Sequence, residues 1–395
     1  MKNYDCIVIG GGASGIISAI NMAKNGLKVA VIDKNSLIAK KLLVTGNGKC
    51  NITNKNLSNE KYNQKIDGYI KKFGFNDTKS FFEKIGIEFY VDDENRAYPI
   101  SNSAKSVVNA LENQVEKLGI DFYKEHSFLS LEKQNGSFIV KTDKTEIQSK
   151  YVIVSCGSNQ LTTLLDDIGI EYKDFVPSLV ALKTKQSTKI LDGVRVSNVA
   201  VSLVQNNDKY EQKGEVLFKD HGISGICIFN LSSHLARNDN FNAKIFIDLL
   251  PNYSQESLTD KISKLKHEYF DIVKMMSCFV TEKVAKEIVV RLKLVYMSPK
   301  NLTEKQIIGL ACELKNLGFD TVGHYDNNQV FSGGVKLSAL SMNLESNVQK
   351  NLFFAGEIID VDGECGGYNL QWAWTSGVIA SNKIIDMVKF NHKIK

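Results

Sequence analysis

The residues with the clearest chemistry stand at the start of the chain. Gly10, Gly12 and Gly15 follow the apolar run Cys6-Ile7-Val8-Ile9 and precede a stretch with helical apolar spacing. Strand, glycine turn and helix in that order read as a dinucleotide-binding βαβ unit. One glycine allows the tight turn, one lets the backbone approach a pyrophosphate, and one lets the helix pack close to the sheet. The pyrophosphate then sits on the helix N-terminus, where free N–H groups and the dipole favour negative charge. A second apolar strand ends on Asp33, 18 residues after Gly15, about where a ribose-hydroxyl acceptor is expected.

The other end of the chain decides which dinucleotide. Phe354-Ala355-Gly356 ends a buried strand, an acidic loop from Glu357 to Glu364 follows, and Gly366-Gly367 opens a helix reaching about Lys389. That places backbone N–H groups at a helix N-terminus beside the far end of the cofactor. A flavin needs this, because its reduction puts negative charge around N1 and the neighbouring carbonyl. A nicotinamide has no comparable need, so the reading is FAD, held noncovalently since no attachment pattern is evident. Tyr151-Val152-Ile153-Val154 runs into Ser155-Cys156-Gly157, small residues that suit a second approach to the nucleotide.

The elements that must position these residues fill 395 positions, which predicts two or three domains. Helical periodicity covers Asp77 to Ile85 and Ala104 to Leu118, and Asp121 to Glu132 reads as a strand before a hairpin at Asn135-Gly136. From about Leu182 the texture becomes alternating, with strands predicted at Val194 to Leu203, Glu215 to Phe218, Ile226 to Leu231 and Ala243 to Leu249. An apolar-periodic run from Thr281 to Leu294 follows, then a capping box of Thr303 and Gln306. The chain is expected to turn near Gly333-Gly334.

Composition narrows the class. Apolar content of 43% and charge of 24% are ordinary for a globular protein. The 49 basic and 44 acidic residues leave a net charge of +5, spread along the chain, so no nucleic-acid partner is expected. The seven cysteines are scattered, with no CxxC pair and no metal-ligand spacing, which implies a reducing compartment and no bound metal. No apolar run is long enough for a membrane span. A cytoplasmic enzyme acting on a small molecule is the expectation, and the sequence sets no oligomeric state.

Four strings resemble a known family: residues 41–54 (KLLVTGNGKCNITN), 214–225 (GEVLFKDHGISG), 331–335 (FSGGV) and 355–374 (AGEIIDVDGECGGYNLQWAW). They look like the bacterial flavoproteins grouped as aminoacetone oxidase or BaiN-like enzymes, across nearly the whole chain. The resemblance implies an α/β fold in which a glutathione-reductase-type, FAD-binding Rossmann domain is interrupted by a β-barrel with a small helical insert. The FAD domain would comprise residues 1–185 and 335–395. The insertion would be 186–334, with barrel at 186–250 and 320–334 and helices at 251–319. Motif and resemblance together give a cofactor set of Gly10, Gly12, Ala13, Ser14, Gly15, Asp33, Lys34, Lys41, Thr45, Gly46, Gly48, Lys49, Asn51 and Phe128. It continues with Cys156, Gly157, Gly356, Glu357, Asp362, Gly366, Gly367, Tyr368, Asn369, Leu370 and Gln371. Asn47 and Lys49 stand where the family often has Gly and Arg, and lysine keeps the charge without the planar fork. Cys227 stands where the family often has Pro.

The implied activity is hydride transfer between flavin N5 and a small organic substrate, by amine or aminoketone oxidation or by C=C reduction. Alternatives are an FAD-dependent tRNA-modifying protein and a non-catalytic redox-sensing flavoprotein; the first predicts a clustered basic face and a cysteine nucleophile, neither evident. Between Gly157 and Gly333 no second GxGxxG follows a strand, so NAD(P)H is expected only as a transient electron donor. Arg96 (with Tyr98), Tyr368 and Trp372 are the candidate catalytic or substrate-contacting residues. Cys50 reads as a small packing residue, and His221 and His324 as structural or surface histidines.

Overall fold

The computed structural model describes residues 1–157, 161–326 and 329–394. The chain forms two compact units, one from Met1–Phe175 with Val330–Lys395 and one from Val176–Gln329. The fold is α/β: a Rossmann-type unit built on a mainly parallel sheet is interrupted in sequence by a closed antiparallel barrel with helices.

In the first unit the strand Lys2–Ile9 lies parallel between Val29–Asp33 and Glu146–Val154. Asp121–Lys124 extends the sheet beyond Val29–Asp33, and Leu352–Phe354 joins the end of Glu146–Val154. The hairpin Phe128–Gln134 and Ser137–Thr142 completes it in antiparallel sense. The central strands are near-continuous apolar runs because helices and loops cover both faces: Ile7, Val8, Val152 and Ile153 are fully buried. The helices Ala13–Lys24 and Tyr368–Ile394 touch closely, since a Cβ on Gly377 would come within 2.5 Å of the Ser14 carbonyl oxygen. Ser18 Oγ donates to the carbonyls of Ser14 and Gly377 at 2.6 and 3.0 Å, tying the two helices at that point.

In the second unit the barrel order is Leu182–Thr184, Gly222–Ser224, Asp208–Lys219, Arg195–Gln205, Asn242–Asp248 and Leu317–His324, which pairs back to the first strand. Alternation decides which side chains fill it: Val199, Val201 and Leu203 are buried, as are Val216 and Phe218 on the next strand. Helices Gln255–Leu265, Ile272–Met276, Glu282–Arg291 and Glu304–Lys315 join the last two strands. Thr303 and Gln306 form the expected capping box. Barrel strands therefore begin at Leu182, ahead of residue 186, and Val330–Val335 falls in the first unit.

Four local expectations are corrected. Ile226 to Leu231 is not a strand but the start of the helix Ile226–Arg237, which buries Cys227, Ile228, Leu231 and Leu235 at helical spacing. Asp121 to Glu132 is two strands, broken at Glu125 with φ 57°. Gly333 and Gly334 do not turn the chain. They lie inside the strand Val330–Val335 with φ 93° and 118°, and added Cβ atoms would meet the Asp174 and Ile358 carbonyl oxygens at 2.0 and 2.5 Å. The last helix continues past Lys389 to Ile394. Among the described residues no helix is long and apolar enough to cross a membrane.

Candidate active site

The register that pairs Ile9 with both Ile32 and Val154 brings Gly10, Asp33 and Ser155 together at the carboxyl ends of three parallel strands. In open α/β sheets this is where ligands bind. The turn is locked by its own hydrogen bonds: Ser155 Oγ donates to the Gly10 carbonyl at 2.8 Å, and the Gly11 amide donates to Asp33 Oδ2 at 2.6 Å. Asp33 Oδ1 accepts the Asn35 amide at 2.7 Å. An ionised carboxylate has further lone pairs, so Asp33 can still accept from a ribose hydroxyl.

The three motif glycines meet different surroundings. A Cβ on Gly10 would sit 2.9 Å from the Ser155 and Cys156 backbone, and one on Gly15 would overlap the Gly10 carbonyl oxygen at 2.0 Å. Gly12 meets nothing within 4 Å. It is the N-cap of the helix Ala13–Lys24, whose first turn carries neither a side-chain cap nor an acidic residue. The free amides of that turn and the open space at Gly12 form a cradle for a pyrophosphate.

A cavity of about 390 Å³ opens from this turn, within the usual range for a ligand site. Of the expected cofactor residues it is lined by Gly10, Gly12, Ala13, Ser14, Asp33, Lys34, Lys41, Thr45, Phe128, Cys156, Gly157, Glu357, Asn369 and Leu370, together with Trp372. Glu357 accepts from Lys41 Nζ at 2.9 Å and from the Phe331 amide at 2.9 Å. Gly157 is small because Glu357 Oε2 would lie 2.3 Å from a Cβ there. Asn369 holds the loop before the last helix, accepting from the Gly363 amide at 2.9 Å and donating to its carbonyl at 2.7 Å. Open cradle, acidic acceptor and lining suit the ADP half of FAD.

Other expected residues lie outside the lining and serve the frame. Gly356 accommodates Ser14, whose Oγ would be 2.3 Å from a Cβ, and its carbonyl accepts the Trp372 indole N–H at 3.1 Å. Gly366 and Gly367 have φ 127° and 95°, and Gly367 leaves room for the Thr53 backbone. Gln371 is fully buried, bonded to Thr53, Thr78, Thr375 and the Phe73 carbonyl. Asp362 accepts from Ser332 Oγ at 3.2 Å. Gly46, Asn47 and Gly48 are all left-handed, and asparagine is among the residues that tolerate this, which accounts for Asn47 where the family often has Gly. Lys49 and Asn51 also lie outside the cavity lining; Asn51 Oδ1 is buried without a hydrogen-bond partner among the described residues, and a Cβ on Gly367 would lie 2.8 Å from it.

Arg96 does not reach the cavity. Its guanidinium is held by Asp92 at 2.8 Å and Glu94 at 3.0 Å, within its own hairpin. Tyr368 is 6% exposed at the start of the last helix, with its ring edge-on to Tyr62. Burial, then the nearby Glu364 charge, push its hydroxyl up to about 12, so it keeps its proton. Burial likewise pushes the Cys50 and Cys156 thiols up to about 12, which leaves them unreactive. His221 is exposed beside Asp220, and His324 Nδ1 lies 3.0 Å from the Tyr325 carbonyl oxygen.

Sequence reasoning missed Gly11, Asn35, Lys40, His126, Ser127, Val330 and Val361 in the lining, while Ser155 was expected only as part of the second approach to the nucleotide. A signal existed for His126 and Ser127: they directly follow a strand parallel to the one ending in Asp33.

A family model described as the HI0933-like protein Rossmann domain matches residues 4–383. The chain belongs to this family. It is 30% identical over 401 residues to the 3-dehydro-bile acid delta(4,6)-reductase of Clostridium scindens, covering 94% of this chain and 97% of that protein. It is 27% identical to the ribosomal RNA dihydrouridine synthase of Haemophilus influenzae, covering 95% and 97%. Among solved structures, the 3-ketosteroid delta1-dehydrogenase of Sterolibacterium denitrificans superposes with a TM-score of 0.51 at 11% identity, covering 98% of this chain and 100% of that one, a likeness of fold. The protein is an FAD-dependent oxidoreductase.

Proposed function

We propose that the enzyme saturates a carbon–carbon double bond conjugated to a carbonyl. The observation that carries this is the shared chemistry in the names of two relatives aligned over nearly the whole chain. A delta(4,6)-reductase of a 3-dehydro bile acid and a dihydrouridine synthase both add two hydrogens across a double bond. Of the two directions open from sequence, amine oxidation and C=C reduction, the second is favoured.

Bound FAD supplies the hydride chemistry, and the chain's own residues hold the cofactor and supply the proton. Gly12, the first turn of the following helix and Asp33 take the dinucleotide. Tyr368 lies next to Asn369, which lines the cavity, though it is not itself in the lining; among the described residues its hydroxyl makes no hydrogen bond, and it stays protonated through neutral pH, so in this reading it protonates the carbon next to the carbonyl. Trp372 lines the cavity as a packed wall. NAD(P)H is a transient electron donor in this reading, because the chain has one glycine-rich dinucleotide turn.

A steroid enone is the first substrate class, and uridine in RNA is the second, favoured by the dihydrouridine synthase relative. The relative named for ribosomal RNA thus weighs against the expectation, drawn from the spread of charge, that no nucleic acid is a partner. Anaerobic mixing of the reduced holoenzyme with a 3-oxo-4-ene steroid, and separately with a uridine-containing RNA, tests the reading. Flavin reoxidation with formation of the saturated product is expected from one of them. Reoxidation by oxygen alone, with both acceptors inert, would exclude it.

A further inference from the structure

Residues 52–54 spend their polar groups on their neighbours. The Ile52 amide donates to the Ala97 carbonyl at 2.8 Å, and the Ile52 carbonyl accepts the Trp374 indole N–H at 2.9 Å. Thr53 Oγ1 donates to Gln371 Oε1, and Asn54 Nδ2 donates to the Gly366 carbonyl at 2.9 Å. The segment is thereby pinned to the start of the last helix. Asn51, directly before it, is different: the residue is 7% exposed, yet its Oδ1 is buried without a hydrogen-bond partner among the described residues. A buried amide oxygen left unpaired costs the desolvation of that group, so folded proteins nearly always supply a donor from the chain, from water or from a ligand.

This oxygen stands beside a set of free donors. A Cβ on Gly367 would lie 2.8 Å from it, and Gly367 immediately precedes the helix Tyr368–Ile394. Gln371 is the first residue of that helix whose amide finds a helical carbonyl, that of Gly367 at 2.9 Å. The amides of Tyr368, Asn369 and Leu370 have no such partner, as in any first turn. Asn369 and Leu370 line the cavity that suits the ADP half of FAD, and so does Thr45, whose carbonyl accepts the Cys50 amide at 3.0 Å. Asn51 and the free amides therefore border that cavity from one compact unit, on the side left for the flavin half.

We propose that Asn51 Oδ1 accepts the N3–H of the flavin ring. An amide oxygen needs a donor, and the oxidised isoalloxazine carries one N–H, at N3, next to the C2 carbonyl and N1. Free amides at the helix start complement the two acceptors, N1 and the C2 carbonyl, and an acceptor beside those amides complements N3–H. The proposal stands on FAD binding and is independent of which substrate is reduced.

The test is equilibrium binding of FAD, and of 3-methyl-FAD in which a methyl group replaces the N3 hydrogen, to the full chain freed of flavin. Wild type is expected to bind FAD about tenfold more tightly than the analogue, the scale of one buried hydrogen bond. Asn51→Ala should lower FAD affinity by about tenfold and, with the acceptor gone and space opened, bind the two flavins equally. A residue that only braced the fold would weaken both flavins and leave their ratio as it was. N3–H is present in both redox states, so the midpoint potential of Asn51→Ala should match that of wild type. A lowered potential with normal affinity for oxidised FAD would point to N5–H, which only the reduced ring carries, and would overturn the assignment. Equal wild-type affinity for the two flavins, or a preference for FAD that survives in Asn51→Ala, would overturn it as well. The wild-type comparison needs no variant, so it decides even where the alanine chain fails to fold.

Discussion

The nucleotide cradle and the barrel use empty space in opposite ways. In the cradle, Gly12 borders open space while Gly10 and Gly15, a few residues away, are hemmed in by backbone. The barrel has no such provision, since Val201, Leu203, Val216, Ile223 and Ile245 are all fully buried and its interior is closed by side chains. One region is shaped by what it must admit and the other by what it must exclude. A substitution that adds atoms therefore discriminates within the first, and one that removes atoms tests the second.

The largest effect is expected at Gly15. A valine there would drive its Cβ into the Gly10 carbonyl oxygen and Ser155 Oγ, at 2.0 and 2.5 Å. Relief requires helix and strand to separate, costing about 3 kcal/mol or more. Gly15→Val should give little folded protein and no bound flavin. Gly12→Val is its counterpart: the apoprotein should melt within a few degrees of wild type while FAD affinity falls by about 100-fold, about 2.7 kcal/mol. Equal thermal loss in the two variants would erase the distinction between ligand space and packing space.

In the barrel unit, Phe319 is 2% exposed, packs against Phe218 at 5.9 Å and carries the Arg291 guanidinium 4.5 Å above its ring. Phe319→Ala should cost about 3–5 kcal/mol. Chemical denaturation followed by tryptophan emission reports the first unit, because Trp372 and Trp374 both lie there. Far-UV circular dichroism should then show an earlier transition that tryptophan emission does not follow. A single shared transition would mean that the units unfold as one.

The units also respond to opposite ends of the pH scale. Tyr368 is raised to about 12 by burial and by Glu364, so the folded state binds its proton more tightly than the unfolded chain. The associated stability is complete below pH 10 and is lost as pH rises toward 12. His234 in the second unit is lowered to about 4 by burial and then by Arg237, and stacks on Tyr210 at 3.8 Å. Its neutral form favours folding above about pH 6.5, and this contribution is lost as pH falls toward 4. Tyr368→Phe should flatten the alkaline limb and slow substrate reduction by about 100-fold, and His234→Gln should flatten the acid limb. Exchange of these two effects would refute the assignments.

The two regions were also unequally legible. In the first unit the glycine turn, Asp33 and the Gly366-Gly367 segment stand at fixed spacings with local reasons, so the sequence points to them. What it hides is set by distant contacts. Gly377 reads as an ordinary helical residue until the Ser14 carbonyl is seen beside it, and Arg96 reads as a free cation until Asp92 and Glu94 are seen to hold it. In the second unit alternation revealed half of the six barrel strands among the described residues: Arg195–Gln205, the end of Asp208–Lys219, and Asn242–Asp248. It failed at Ile226, where an apolar run was too short to show whether its period was two or 3.6.

The smallest effect expected is at Thr303, where a local signal was read correctly and can be checked by itself. Thr303 Oγ1 accepts from the Gln306 amide at 3.3 Å, while Gln306 Oε1 accepts from the Thr303 amide at 2.9 Å. This satisfies two donors that the helix Glu304–Lys315 would otherwise leave open. Thr303→Ala removes one bond of the pair and should cost about 1 kcal/mol. Because the helix packs on the second unit's own core through Ile307, Leu310 and Leu314, the loss should shift that unit's transition and leave the tryptophan transition where it was. Gln306→Ala should account for a smaller share, since the threonine oxygen still caps its amide. A loss well above about 2 kcal/mol in Thr303→Ala, or one shared by both units, would show that the cap braces more than its own helix.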